Sequence, residues 1–261
     1  MNLELNQRNA LVCGSTQGIG KAVAIELAAM GANVTLVARN EEKLEAVLNE
    51  LDQSKGQQHA YICADFDDSE GLKETIEAYT EDTKINILIN NTGGPAGGPA
   101  ELAGLDEFTS AFNNHLICNH ILLQACVVGM KESGYGRVVN IISTSVKQPL
   151  KGLGVSNTIR GAVANWSKTL ATELGPSGIT VNNVLPGATN TIRLQSIIEN
   201  KAAKTGQSIE DVKAGMVSQV PLGRVAEASE IANAVAFLSS PAAAYINGIN
   251  VPVDGGRTSC L

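Results

Sequence analysis

The sequence predicts an α/β fold: one doubly wound parallel sheet with helices on both faces. Three observations carry this. Strand-length apolar runs alternate with helical patterns along the whole chain. The runs are nearly continuous in apolar residues, the pattern of strands covered on both sides. A glycine-rich turn joins the first run to the first helix.

The elements follow in order. Ala10 to Cys13 is the first strand, and Gly14-Ser15-Thr16-Gln17-Gly18-Ile19-Gly20 turns the chain into a helix from Ile19 to Met30. Asn33 to Val37 is the second strand. Asn40 is an N-cap for a helix from Glu41 to Leu51, with Glu41 and Glu42 where the helix dipole favours acids. Ala60 to Cys63 and Ile85 to Ile89 are strands three and four. Gly93 to Ala100 is a loop by its glycines and prolines. A long helix from Leu105 to Met130 leads to a strand from Arg137 to Ile142, and a helix from Val155 to Leu174 to a strand from Ile179 to Leu185. Thr189 to Gln219 is a polar, irregular insertion, and Ile249 to Val253 is the last strand. With no linker, repeat or low-complexity stretch, residues 1–261 read as one domain carrying an insertion at about 189–219.

Composition narrows the classes. The chain has 44% hydrophobic residues and 26 glycines, enough for buried strands and tight strand-to-helix turns. With 19 basic against 26 acidic residues, no basic run and one Trp, it does not read as a nucleic-acid binder. No apolar run reaches about 18 residues, so no membrane span is expected, and the N-terminus lacks the cationic and apolar order of a secretory signal. Cys13, Cys63, Cys118, Cys126 and Cys260 are scattered and form no CxxC pair, which reads as reduced thiols in a cytoplasmic protein. His59, His115 and His120 have no ligand set around them, so no metal site is expected and they read as core or surface histidines.

The glycine turn has a chemistry. Gly14 lets the chain leave the first strand, and Gly18 and Gly20 let backbone approach a pyrophosphate at a helix N-terminus, as in a Rossmann-type dinucleotide site. Strand two ends Val37-Ala38-Arg39-Asn40. An acid near position 38, which would hold a ribose 2′-hydroxyl, is absent, and Arg39 can clamp a 2′-phosphate unless it is a solvated loop cation. The cofactor expected is NADP(H). Lys147 and Lys151 read as a solvated cationic loop or as contacts for an acidic substrate.

Further motifs share one order: Asn91-Thr92-Gly93, Asn140-Ile141-Ile142-Ser143, Pro186-Gly187 and Val253-Asp254-Gly255-Gly256. With the glycine turn they make the chain resemble the short-chain dehydrogenase/reductase superfamily over essentially its whole length, near the 3-oxoacyl-carrier-protein-reductase-like branch. The resemblance implies cofactor contacts from Gly14, Ser15, Gln17, Gly18, Ile19, Gly20, Arg39, Asn40, Asp65, Phe66, Asn91, Thr92, Gly93, Pro186, Gly187, Thr189 and Thr191. For Asp65 a helix-capping role competes, because Asp67, Asp68 and Ser69 share its turn.

The resemblance also implies a catalytic serine, Ser143, and an asparagine supporting a water relay, Asn114. It then breaks. The family's Tyr-x-x-x-Lys pair belongs thirteen residues after Ser143, where Ser156 and Arg160 stand. A phenol titrates near 10, within reach of an adjacent ammonium, whereas an alkyl hydroxyl stays protonated at neutral pH. Arg160 keeps charge and donors for the nicotinamide ribose and does not give up its proton. Ser156 and Arg160, four apart, share a helix face. The chain resembles a divergent subgroup with Ser-x-x-x-Arg at this place. Together the motifs imply an NADP(H)-dependent oxidoreductase passing hydride to a carbonyl or C=N group of a small molecule through an altered catalytic pair. The alternative is a non-catalytic NADP-binding sensor or partner subunit. In the resembled family the long helices pair between subunits, which implies a homo-oligomer, a tetramer or a dimer.

Overall fold

The computed structural model of the chain describes residues 1–260. Seven parallel strands form one sheet: β1 Asn9–Cys13, β2 Asn33–Ala38, β3 Ala60–Cys63, β4 Ile87–Asn90, β5 Gly136–Ile141, β6 Ile179–Pro186 and β7 Asn250–Val253. Their spatial order is β3-β2-β1-β4-β5-β6-β7. The chain direction across the sheet therefore reverses between β1 and β4, and in an open α/β sheet ligands bind outside the carboxyl ends of the strands at that point.

Both faces are covered, which explains the apolar runs. On one face α1 (Gly18–Ala29) and α9 (Ala228–Ser239) pack over Val12, Val34, Ile89 and Val139. On the other, α3 (Ser69–Asp82), α5 (Cys118–Ser133) and α6 (Gly154–Leu174) pack over Leu11, Val37, Leu88 and Val138. Alternate residues of each strand enter opposite cores, so a strand with two buried faces has no polar side to show.

The central strands are also tied by amides. Asn90 donates to Asn140 Oδ1 at 2.7 Å, Asn140 donates to Asn183 Oδ1 at 3.1 Å and to Ser167 Oγ at 2.9 Å, and Asn183 donates to Asn250 Oδ1 at 2.8 Å. This buried row runs across β4 to β7 and locks their register, since a slip by one residue would leave every amide unpaired.

Most expected elements lie within a residue or two of their observed bounds. Asn40 does cap α2 (Glu41–Leu48), accepting from the Lys43 amide at 2.9 Å. Two expectations need correction. The long helix after Leu105 is three pieces: α4 (Leu105–Phe112), a π-turn from Asn113 to Ile117, and α5. The polar stretch from Thr189 to Gln219 is mostly ordered as α7 (Ile192–Thr205) and α8 (Ile209–Val217), capped by Thr191 and Ser208. Ile198, Ala202 and Val212 form a small core of their own between these helices, which is why so polar a stretch holds helical structure.

Candidate active site

The motif residues collect along the carboxyl edge of the sheet, each placed by the end of a strand. After β1, Gly14 and Gly18 take the left-handed conformation, at φ of 57° and 55°. A side chain on Gly14 would meet the Asn91 carbonyl at 2.6 Å, and one on Gly20 would collide with the Gly14 carbonyl. These glycines are obligatory for this turn, a cradle that leaves backbone amides at the start of α1 in the arrangement that suits an anion. Asn91 donates its side-chain amide to the carbonyls of Cys13 and Gly14, both at 3.3 Å, so it holds the turn in shape. Ser15 is buried and points its hydroxyl back toward the Val37 carbonyl, leaving its backbone, with Gln17 and Ile19, to the cradle.

The far wall comes from β6. Gly187 donates to the Val253 carbonyl at 2.9 Å and lies so close to Asp254 that no side chain fits there. Thr189, buried, donates to the Gly187 carbonyl at 3.1 Å. Thr191 caps α7 and lays its methyl group against Gly18, where a Cβ would be 3.1 Å away. The Pro186-Gly187 turn and the start of α7 thus close over the glycine turn. The residues fit a dinucleotide: a Cβ-free cradle at a helix start, a wall across it, and open space at Gly93.

Beyond the ends of β2 and β3, Arg39 is exposed and 3.9 Å from Asp65, an open pair worth little by itself. Asp68, not Asp65, caps α3, accepting from Gly71 at 3.0 Å. Asp65 is left at the strand end, where the resemblance places it. Asn40 spends its side chain on capping, so any cofactor contact from it would be through backbone.

On the other side of the switch point, Ser143 follows β5. Its Oγ accepts from the Ser145 amide at 3.1 Å, which leaves its own proton free to donate into the cleft. Ser156 is half-buried in the first turn of α6, and Arg160 lies one turn further on. Arg160 is 7% exposed, and its Nη1 donates to the Ile141 carbonyl at 3.1 Å. Burial, and then the nearby Arg193, lower its pKa to about 10.

Asn114 does not join this group. Its side chain donates to Asp67 at 2.6 Å, and Asn113 donates to the Phe66 carbonyl at 3.2 Å. Both asparagines tie the π-turn to the loop after β3. The residue facing Arg160 is His115, buried and hydrogen-bonded through Nδ1 to the Thr92 hydroxyl. Burial, and then Arg160, hold the His115 pKa down at about 3, so the ring is neutral. The physical reason is rotation: successive residues of the π-turn point in different directions, so Asn114 and His115 cannot share a face. Ala111, His115, Cys118 and Leu122 form one buried stripe, and Asn114 falls beside it. That stripe, at spacings of four, three and four, is the sequence signal for His115. The sequence leaves His115 as a core or a surface histidine; it is buried, and its place at the site comes only from the fold.

Other candidates fall elsewhere. Lys147 and Gln148 precede a stretch where Ser259 and Cys260 fold back against them. Among the described residues no group of three or more His, Cys, Asp or Glu is placed to hold a metal, and no helix is long and apolar enough to cross a membrane. A cavity of about 630 Å³ lined by Tyr135, Arg137, Thr180 and Tyr245 lies at the amino ends of β5 and β6, away from every motif residue.

Comparison with known proteins agrees with this geometry. The family described as enoyl-(acyl carrier protein) reductase matches residues 14–258. A chloroplastic tropinone reductase homolog of Arabidopsis thaliana is 35% identical over 97% of this chain and 76% of its own. The 3-oxoacyl-[acyl-carrier-protein] reductase of Haemophilus influenzae is 34% identical over 95% of this chain and 96% of its own. Among solved structures, L-sorbose reductase from Gluconobacter frateurii, complexed with NADPH and L-sorbose, superposes with a TM-score of 0.92 at 27% identity, covering all of both chains. With its motifs in the same order along one seven-stranded sheet, the chain belongs to the short-chain dehydrogenase/reductase superfamily.

Proposed function

We propose that the protein is an NADP(H)-dependent oxidoreductase that passes hydride to a carbonyl or C=N group of a small molecule, with Ser156 and Arg160 in place of the usual tyrosine and lysine. The observation that carries it is the glycine cradle after β1, closed by Thr191 and flanked by Arg39 with no acid at position 38. NADPH, when bound, supplies the hydride. The chain's residues do the rest. Gly14, Gly18 and Gly20 admit the pyrophosphate, and Arg39, with Asp65, Phe66, Asn91, Thr92 and Gly93, takes the adenosine end. Pro186, Gly187, Thr189 and Arg160 border the nicotinamide end. Ser143 donates a hydrogen bond to the substrate oxygen as negative charge grows there and keeps its proton. Ser156 and neutral His115 supply no readily lost proton, so the final proton comes from water or from the substrate itself.

The relatives' names point to tropinone, a 3-oxoacyl carrier protein and L-sorbose, so they do not select one substrate. Following NADPH consumption against ketones, 3-oxoacyl thioesters, quinones and imines tests the assignment. A second reading, a non-catalytic NADP-binding sensor or subunit, is favoured by one observation: neither position 156 nor 160 carries a group that titrates near neutral pH. Binding without turnover across the panel would decide for it.

Cofactor choice has its own test. Charge-assisted hydrogen bonds contribute about 1.5–3 kcal/mol, so NADPH should bind roughly tenfold to a hundredfold tighter than NADH. Arg39→Asp should remove most of that difference in a calorimetric titration, and equal affinities in the native protein would overturn the NADP(H) assignment.

A homotetramer is the assembly we propose. Leu105, Phe112, Ile117 and Val128 are exposed along α4, the π-turn and α5, apolar side chains that a partner copy would cover. Light scattering at micromolar concentration should give four times the chain mass, and a monomer would contradict it. A cytoplasmic location is part of the same proposal, resting on the scattered cysteines that read as reduced thiols.

A further inference from the structure

The cleft holds two guanidinium groups that the chain does not neutralise. Arg160 is buried, and its Nε has no hydrogen-bond partner. Arg193, in the first turn of α7, donates through Nη2 to the Pro95 carbonyl at 2.7 Å. Neither arginine has an acid within ion-pair distance among the described residues. They approach each other instead. A methyl group placed on Gly94 would lie 3.6 Å from Arg193 Nη2 and 3.7 Å from Arg160 Nη2. His115, bonded to the Thr92 hydroxyl in the same corner, is neutral and adds no negative charge.

Arg160 is the costly member of the pair, since Arg193 is exposed and Arg160 is not. A buried cation without a counter-ion loses its hydration, and a second cation beside it adds repulsion. The scaffold nevertheless holds both groups. The Ile141 carbonyl fixes Arg160, and Arg193 is aimed by the Pro95 carbonyl. The Pro95 loop is itself pinned, since Gly98 donates to the Gly152 carbonyl at 2.8 Å and accepts from the Gly154 amide at 2.9 Å. Gly93, next in the loop, faces open space. Two oriented forks, room beside them and no internal acid describe a receptor for a planar anion.

We propose that Arg160 and Arg193 form a carboxylate subsite, and that the substrate is an oxo acid whose carboxylate lies over Gly94 while its carbonyl faces Ser143. This rests on the reductase reading of the cleft and adds its substrate class. The pyrophosphate of the cofactor is the other anion within reach. The substrate is favoured because the pyrophosphate cradle is at Gly18 against Thr191, whereas the arginines converge after β4 at Gly94.

The test is calorimetric titration of the full chain, with and without saturating NADP⁺. The probes are pyruvate, phenylpyruvate, benzoylformate and acetoacetate, each against its methyl ester. At least one acid should bind about tenfold tighter than its ester, a difference of about 1.4 kcal/mol. Arg193→Gln should abolish that preference with NADPH affinity unchanged, and Arg193→Lys should retain part of it. Arg193 is exposed, so these variants keep the fold. If no acid is preferred over its ester in the native protein, the subsite is wrong. If Arg193→Gln weakens NADPH and leaves the acid preference intact, Arg193 serves the cofactor instead. A protein that binds no NADPH but still prefers the acid keeps the subsite and sinks the reductase reading.

Discussion

Ser143→Ala should lower turnover by about 10²–10³-fold, because an oxyanion donor acts only as charge develops in the transition state. NADPH affinity should hardly change, since Ser143 sits after β5, across the switch point from the glycine cradle. Ser156→Ala should cost little by comparison. Its hydroxyl stays protonated at neutral pH, and an alkyl hydroxyl cannot replace a phenol in general acid catalysis. The contrast between the two alanine variants is the measurement, read as kcat with cofactor saturated. A large loss in Ser156→Ala, with NADPH affinity intact, would make Ser156 a working catalytic group and overturn the assignment.

The second large effect is on stability against acid. His115 has its pKa lowered from 6.5 to about 3 by burial and by Arg160. The unfolded chain takes up a proton on this ring below about pH 6.5, and the folded chain does not until about pH 3. Stability from the neutral ring is therefore complete above the unfolded value and declines as pH falls through that window. The slope is about 1.4 kcal/mol per pH unit, so by pH 5 the loss is about 2 kcal/mol. Denaturant unfolding between pH 7 and 4.5 should show it, and His115→Gln should reduce the slope by one proton. Glu230 has its pKa lowered to about 2 by its Arg224 pair, so its own contribution is lost only at lower pH. An unchanged slope in His115→Gln would mean that His115 is not held neutral.

Much of this site is legible in the sequence. Gly14, Gly18 and Gly20 are spaced as a dinucleotide turn requires, and only glycine tolerates the left-handed backbone and close contacts found there. The strands are legible because burial on both faces leaves a continuous apolar run, a local signal that needs no tertiary knowledge. The order of α7 and α8 is less so. Their mutual core of Ile198, Ala202 and Val212 is sparse, and polar residues outnumber it along the segment.

The sheet and the cradle are thus encoded locally, because each is written in short-range periodicity or spacing. Which side chains meet in the cleft is settled by packing alone. The π-turn at Asn113–Ile117 sends Asn114 to Asp67 and His115 toward Arg160. The closure of α7 over the β4 loop brings Arg193 to Arg160 across Gly94. Periodicity assigns a residue to an element and a face, but the partner across a cleft depends on how distant elements pack, and that is fixed only when the two cores form together.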